Sequence, residues 1–80
     1  MAIIDYQPPV SPYLDILYQD EDIVVLNKPS GLLSVPGKHP EHFDSLMLRV
    51  QAVWPRSGVV HRLDMMTSGI IVMAMHKEAL

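Results

Sequence analysis

Residues 59–75 read VVHRLDMMTSGIIVMAM, and this stretch decides the predicted fold. Residues 59–63 are typical of a strand, and residues 64–69 carry the Asp, Thr, Ser and Gly of a turn. Residues 70–75 form an apolar run of strand length. Such a run is typical of a strand that is covered on both faces. The stretch therefore predicts two strands joined by a polar turn.

The residues before this stretch add further strands. Residues 16–18 and 23–26 are β-prone runs on either side of the polar residues 19–22, and this spacing predicts a β-hairpin. Residues 32–35 fit a further short strand. Residues 1–13 contain three prolines, which remove backbone donors and predict an extended arm.

One helix is predicted between the hairpin and the final strands. Asp44 can cap its free amides, Phe43 can pack onto Leu48, and Pro55 ends it. The apolar stripe of this helix is formed by Leu46, Val50, Val53 and Trp54. The order of elements indicates an α+β fold with a mixed or antiparallel sheet and one clear helix, in a single unit over residues 1–80.

The composition restricts the class of protein. Hydrophobic residues make up 49% of the 80 residues and charged ones 19%, as in globular chains. Cysteine is absent, and no apolar run reaches the length of a membrane span, so we expect a cytoplasmic protein without disulfides or membrane segments. The net charge of -3 argues against nucleic-acid binding by bulk electrostatics within this segment.

Arg62 and Asp64 are the candidate pair for chemistry. Alternate residues of an extended chain share a face, so the two side chains should point the same way. A carboxylate beside a guanidinium stays ionised at neutral pH, which suits a nucleophile. The alternative is that Asp64 only accepts hydrogen bonds from the amides of the turn.

The histidines carry weaker signals. His61 should lie on the opposite face of the predicted strand, where a packed, hydrogen-bonded structural role is expected. His39 and His42, with Glu41 between them, suggest metal ligands, but two histidines without a complete set of zinc ligands are a weak signal. We therefore expect a surface loop at residues 36–42 and no metal.

Residues 61–64 (HRLD), followed by residues 67–69 (TSG), resemble the aspartate signature of RluA-type RNA pseudouridine synthases. The similarity extends to residues 15–37, with their NKPSG and SVPG segments. It implies that the chain is part of the pseudouridine synthase catalytic fold. It also implies that Asp64 is the nucleophile and that Arg62 binds the RNA substrate. Structural support is expected from His61, Thr67, Ser68 and Gly69.

The resemblance implies that uridine is isomerised to pseudouridine with no cofactor and no metal. Within the family it points to members that act on large-subunit ribosomal RNA and on tRNA anticodon stem-loops, in the bacterial cytoplasm. A later tyrosine and a later basic residue of the family pattern are absent from these 80 residues. We therefore expect an N-terminal portion of the catalytic domain that is inactive by itself.

A second hypothesis is a non-catalytic α+β interaction module. Under this hypothesis, the apolar strand at residues 70–75 exposes an edge and pairs with another copy of the chain. The two hypotheses are compatible, because an incomplete enzyme domain can also self-associate.

Overall fold

A computed structural model describes residues 6–80, which form an antiparallel four-stranded sheet with one α-helix on it. The order of the strands in the sheet is β1-β2-β4-β3, and the α+β class is as predicted. The elements in chain order are β1 (Ile16–Gln19), β2 (Ile23–Lys28), α1 (Leu46–Val53), β3 (Gly58–Val59) and β4 (Gly69–Ala74), with short 3-10 turns at Pro40–His42 and Lys77–Ala79.

The predicted hairpin is confirmed as β1 and β2, and its turn is built around Asp20. The carboxylate of Asp20 accepts hydrogen bonds from the amides of Asp22 and Ile23 at 2.8 and 2.9 Å. The Tyr18 hydroxyl donates to the same carboxylate at 2.7 Å. These hydrogen bonds lower the pKa of Asp20, and the one from Tyr18 has the largest effect.

The predicted last strand is confirmed as β4, and the described residues cover only one of its two faces. β4 pairs with β2 along its whole length, and Ile71 and Met73 are buried against the helix side. Ile70 is 64% exposed, because α1 packs on only one face of the sheet. β3 pairs with only the last two residues of β4. Within residues 6–80, the edge of β4 at Gly69–Val72 that faces away from β2 therefore has no strand beside it.

Two strand predictions fail. The strand predicted at residues 59–63 is reduced to Gly58–Val59, and residues 60–63 leave the sheet. Residues 32–35 form no strand either; Leu33 makes only an isolated parallel bridge with Ser45. The Ser34 hydroxyl bonds to the main chain of Leu63, and the carbonyls of Leu33 and Ser34 accept from the first amides of the helix; local β propensity does not reveal these partners.

Helix α1 begins one residue later than predicted, because Ser45 caps it. The Ser45 hydroxyl accepts from the Leu48 amide at 3.3 Å. Asp44 is engaged elsewhere: its carboxylate binds Arg49 through two hydrogen bonds of 2.9 and 2.7 Å. Phe43 is exposed, so the predicted apolar contact with Leu48 does not bury it. The helix ends at Val53, before Pro55.

The core lies between α1 and one face of the sheet. It is formed by Val24 and Leu26 of β2, Ile71 and Met73 of β4, Leu46 and Val50 of α1, and Leu32.

The arm predicted at residues 1–13 contains no helix or strand from residue 6 onward, and its first five residues lie outside the described ones. The Tyr6 hydroxyl donates to the carbonyl of Asp44 at 2.7 Å and accepts from the amide of Leu33 at 2.9 Å. Arg49 lies 4.5 Å from the centre of the Tyr13 ring. The arm is thus anchored beside the helix N-terminus.

Candidate active site

A pocket of about 450 Å³ opens at the end of the sheet where Lys28 of β2 pairs with Gly69 of β4. Two segments form it, one that leads into α1 and one that precedes β4. Its lining residues are Leu33, Ser34, Val35, Arg62, Leu63, Asp64 and Met65. The carboxylate and the guanidinium singled out in the sequence therefore line the same pocket.

The Asp64 carboxylate is exposed in this pocket. Its main-chain carbonyl accepts the turn hydrogen bond from the Thr67 amide at 3.0 Å. Within residues 6–80 the carboxylate itself accepts no hydrogen bond, so the turn does not depend on it. This geometry disfavours the alternative in which Asp64 only satisfies turn amides, and it leaves both carboxylate oxygens accessible to a ligand.

The backbone just before Asp64 is fixed by the side chain of Ser34. The Ser34 hydroxyl donates to the carbonyl of Leu63 at 2.7 Å and accepts from the amide of the same residue at 3.0 Å. One buried hydroxyl thus replaces the strand partner that residue 63 lacks.

The backbone just after Asp64 is fixed by the segment that follows β2. The carbonyl of Met65 accepts from the Lys28 ammonium and from the Gly31 amide, both at 2.9 Å. The Ser30 hydroxyl donates to the carbonyl of Met66 at 2.8 Å. Asp64 therefore lies between two backbone positions that are each held by hydrogen bonds from residues 28–34.

Lys28 is a site residue that the sequence reasoning missed. Its ammonium is buried and donates to the carbonyls of Pro29, Leu32 and Met65. Burial lowers the pKa of Lys28, and the nearby Asp64 carboxylate acts in the opposite direction. The signal was present, because Lys28 follows Val24 and Leu26 at alternate positions and so belongs to the buried face of β2.

Two glycines adopt left-handed φ angles at the borders of these segments. Gly31, with φ of 93°, turns the chain after β2 so that its amide reaches Met65, and Gly69, with φ of 145°, starts β4. Residues with a Cβ atom rarely adopt these φ angles, so both turns favour glycine.

A family profile described as RNA pseudouridylate synthase matches residues 22–80. The chain belongs to this family. Over 79 residues it is 58% identical to the dual-specificity RNA pseudouridine synthase RluA of Haemophilus influenzae and to that of Escherichia coli strain K12, and 57% identical to that of Haemophilus ducreyi. Each match covers 99% of this chain and 36% of the relative. The chain thus spans about a third of the length of these curated relatives.

The other signature residues, His61, Thr67, Ser68 and Gly69, do not line the pocket. His61 is exposed, so the expectation that it is packed is wrong; the chain has left the sheet there, and none of the other described residues covers it. Its Nε2 accepts a hydrogen bond from the Val72 amide at 3.1 Å, on the open edge of β4. Thr67 and Ser68 are exposed in the turn. The supporting roles of these residues stay predictions.

The histidines of the loop at residues 36–42 do not both lie on the surface. His42 is buried, contrary to the surface-loop expectation, because its ring packs edge-on against Tyr6 and His39 at centroid distances of 6.0 and 5.7 Å. In the described part of the pseudouridine synthase segment, no three His, Asp or Glu side chains are grouped so that they could hold a metal ion. Nor does any helix there have the length and apolar character needed to cross a membrane.

A second pocket, of about 530 Å³, lies at the opposite end of the sheet, where Ile23 pairs with Ala74. Trp54 and Met75 contribute apolar walls, and Asp20 and Glu21 contribute carboxylates. It contains no residue of the aspartate signature.

Proposed function

We propose that a protein containing this chain is an RNA pseudouridine synthase in which Asp64 is the catalytic nucleophile. The observation that carries the proposal is the exposed carboxylate in a pocket, with its backbone held on both sides by residues 28–34. The reaction breaks the bond from ribose C1′ to uracil N1 and forms a bond from C1′ to C5. The proton lost from C5 is balanced by the one gained at N1, so nothing is consumed.

An ionised carboxylate suits this chemistry because positive character develops at C1′ when the glycosidic bond weakens, as in glycoside hydrolysis. Asp64 stabilises that charge, either through the field of the anion or through a covalent bond. Its access to the nucleoside requires that the uridine leave its stack. Arg62, exposed beside Asp64, binds the RNA around the flipped nucleotide.

The proposed substrates are large-subunit ribosomal RNA and the tRNA anticodon stem-loop. The relatives are named dual-specificity RNA pseudouridine synthases, which supports more than one RNA substrate. The chain would form the N-terminal portion of the catalytic domain of a cytoplasmic bacterial enzyme. The 80 residues alone are proposed to be inactive, because they span only 36% of the relatives' length.

A chimera tests the assignment. The matching 79 residues of the Haemophilus influenzae relative are replaced by this chain, and pseudouridine is mapped chemically in ribosomal RNA fragments and in tRNA stem-loops. We expect the chimera to modify RNA and its Asp64→Asn variant to be folded but inactive. The unfused 80-residue chain and the intact relative are the controls. A folded chimera without activity, or substantial turnover by Asp64→Asn, would contradict the assignment.

The second candidate function is self-association through the edge of the sheet, as an interaction module. The sequence placed the pairing edge at residues 70–75, but β4 lies between β2 and β3 in the sheet. The observation that favours self-association is instead β1, an uncharged edge strand whose Ile16, Leu17 and Tyr18 are all exposed. Such an edge readily pairs with another chain. The charge of -3 on each copy opposes pairing, so the dimer should increase with salt concentration. Equilibrium sedimentation that finds only monomer at millimolar chain and high salt would exclude this function.

A further inference from the structure

Ser34 connects the helix of this chain to the backbone of Asp64. The N-terminus of α1 holds the segment that contains Ser34: the amide of Leu46 donates to the carbonyl of Leu33 at 2.8 Å, and the amide of Met47 donates to the carbonyl of Ser34 at 3.0 Å. These amides are among the first of the helix and have no partner within it. The position of Ser34 is therefore set by the most regular element of the fold.

The Ser34 side chain in turn fixes the position of the Leu63 main chain. Its hydroxyl is buried, with 3% of the residue exposed, and it both donates to and accepts from the main chain of Leu63. The carbonyl of Leu63 belongs to the same planar peptide unit as the nitrogen of Asp64. A hydrogen bond to that carbonyl consequently fixes the plane from which the Asp64 side chain projects.

We propose that Ser34 is a positioning residue for the Asp64 nucleophile, an inference that rests on the proposed function. Ser34 sets the angle at which the carboxylate enters the pocket, and it does so from the side opposite to Lys28 and Gly31, which hold Met65. Loss of the Ser34 hydroxyl leaves the hydrogen bonds to Met65 in place. The carboxylate then remains in the pocket with a wider range of orientations.

Ser57 provides a matched control. It is also buried, but its hydroxyl has no hydrogen-bond partner in the described part of the chain. Ser57→Ala and Ser34→Ala therefore delete the same atom from equally buried sites, and only the second removes hydrogen bonds next to Asp64. A general effect of losing a buried hydroxyl would appear in both variants.

The first measurement is amide hydrogen exchange on the 80-residue chain, followed by NMR. In Ser34→Ala the Leu63 amide loses its acceptor, and its exchange should accelerate by about fivefold, the factor that corresponds to one hydrogen bond. Ser57→Ala should leave the exchange of this amide unchanged. Unchanged exchange of the Leu63 amide in Ser34→Ala would overturn the inference, whatever the activity of the enzyme.

The second measurement is steady-state kinetics of the chimera on RNA. Ser34→Ala should lower kcat by about 10- to 100-fold with KM nearly unchanged, because a misoriented nucleophile slows the chemical step while the RNA still binds. Ser57→Ala should keep the kcat of the unsubstituted chimera. Equal kcat values for Ser34→Ala and Ser57→Ala overturn the positioning role alone, whereas an inactive unsubstituted chimera overturns the proposed function and the role with it.

Discussion

The two partners of the ion pair between Asp44 and Arg49 should differ in how much their loss destabilises the chain. The Arg49 side chain is fully buried, whereas the Asp44 side chain is 39% exposed. Arg49→Met leaves a carboxylate that water can reach. Asp44→Ala instead leaves a buried cation whose remaining contacts, among residues 6–80, are the carbonyl and the ring of Tyr13. We therefore expect Asp44→Ala to be the more damaging change.

The magnitude follows from what each variant leaves behind. An unpaired buried charge costs about 3–5 kcal/mol, and we take about 3 kcal/mol because this pair reaches the surface on one side. Arg49→Met should cost about 1–2 kcal/mol, because solvent compensates the remaining carboxylate. A domain of this size loses about 4–8 °C of Tm per kcal/mol. Asp44→Ala should therefore lower Tm by about 12–24 °C, and Arg49→Met by about 4–16 °C.

Thermal and urea unfolding, followed by far-ultraviolet circular dichroism and by Trp54 fluorescence, measure this difference. Lys38→Met is the matched control, because Lys38 is an exposed cation, and its loss should change the free energy of unfolding by less than about 0.5 kcal/mol. If Arg49→Met proved as damaging as Asp44→Ala, or more so, the reasoning from unequal burial would be refuted.

Three further predictions concern two signature residues and His76. In the chimera, Arg62→Lys should reduce activity on folded RNA, because an ammonium cannot reproduce the planar guanidinium; unchanged kinetics would make Arg62 an ordinary surface charge. His61→Gln should lower the free energy of unfolding by about 0.5–1 kcal/mol through the Val72 amide, with kcat per folded molecule preserved; a stable but inactive variant would assign His61 to the chemistry. The hydrogen bond with Asp22 raises the pKa of His76 above its usual 6.5. The stability from His76 should therefore be complete below that value and be lost as pH rises through the raised pKa. Urea unfolding should show that the excess stability of the unsubstituted chain over His76→Gln falls as pH rises above 6.5, and a constant excess would contradict the prediction.

The elements that depend on local pattern could be predicted from the sequence. The hairpin follows from two β-prone runs around the turn at Asp20, and β4 follows from its apolar run. The predictions that failed concern features that depend on hydrogen-bond partners elsewhere in the chain. Residues 60–63 leave the sheet where Ser34, 29 residues from Leu63, supplies the hydrogen bonds of a strand partner. Asp44 does not cap the helix, because a buried arginine competes for its carboxylate.

The residues of the candidate site also fall into those that local pattern predicts and those that depend on distant partners. The periodicity of an extended chain led to Arg62 and Asp64, and both line the pocket. Lys28 was overlooked because a lysine at the end of a strand is ordinarily exposed. Its burial depends on the carbonyls of Leu32 and Met65, which reach it only through the tertiary fold. Sequence periodicity indicates which residues lie on the same face of a strand. It does not indicate which distant carbonyls accept hydrogen bonds from a buried charge.

The hydrogen bonds after Asp64 are all accepted by main-chain carbonyls, those of Met65 and Met66. The backbone that carries the Asp64 carboxylate is therefore held independently of which side chains stand at these two positions, and Met66 projects largely into solvent. Positions 65 and 66 are consequently free to diversify beside the carboxylate without disturbing its anchorage. A library randomised at these two positions in the chimera would sample preference for the RNA around the target uridine while the reaction frame stays constant.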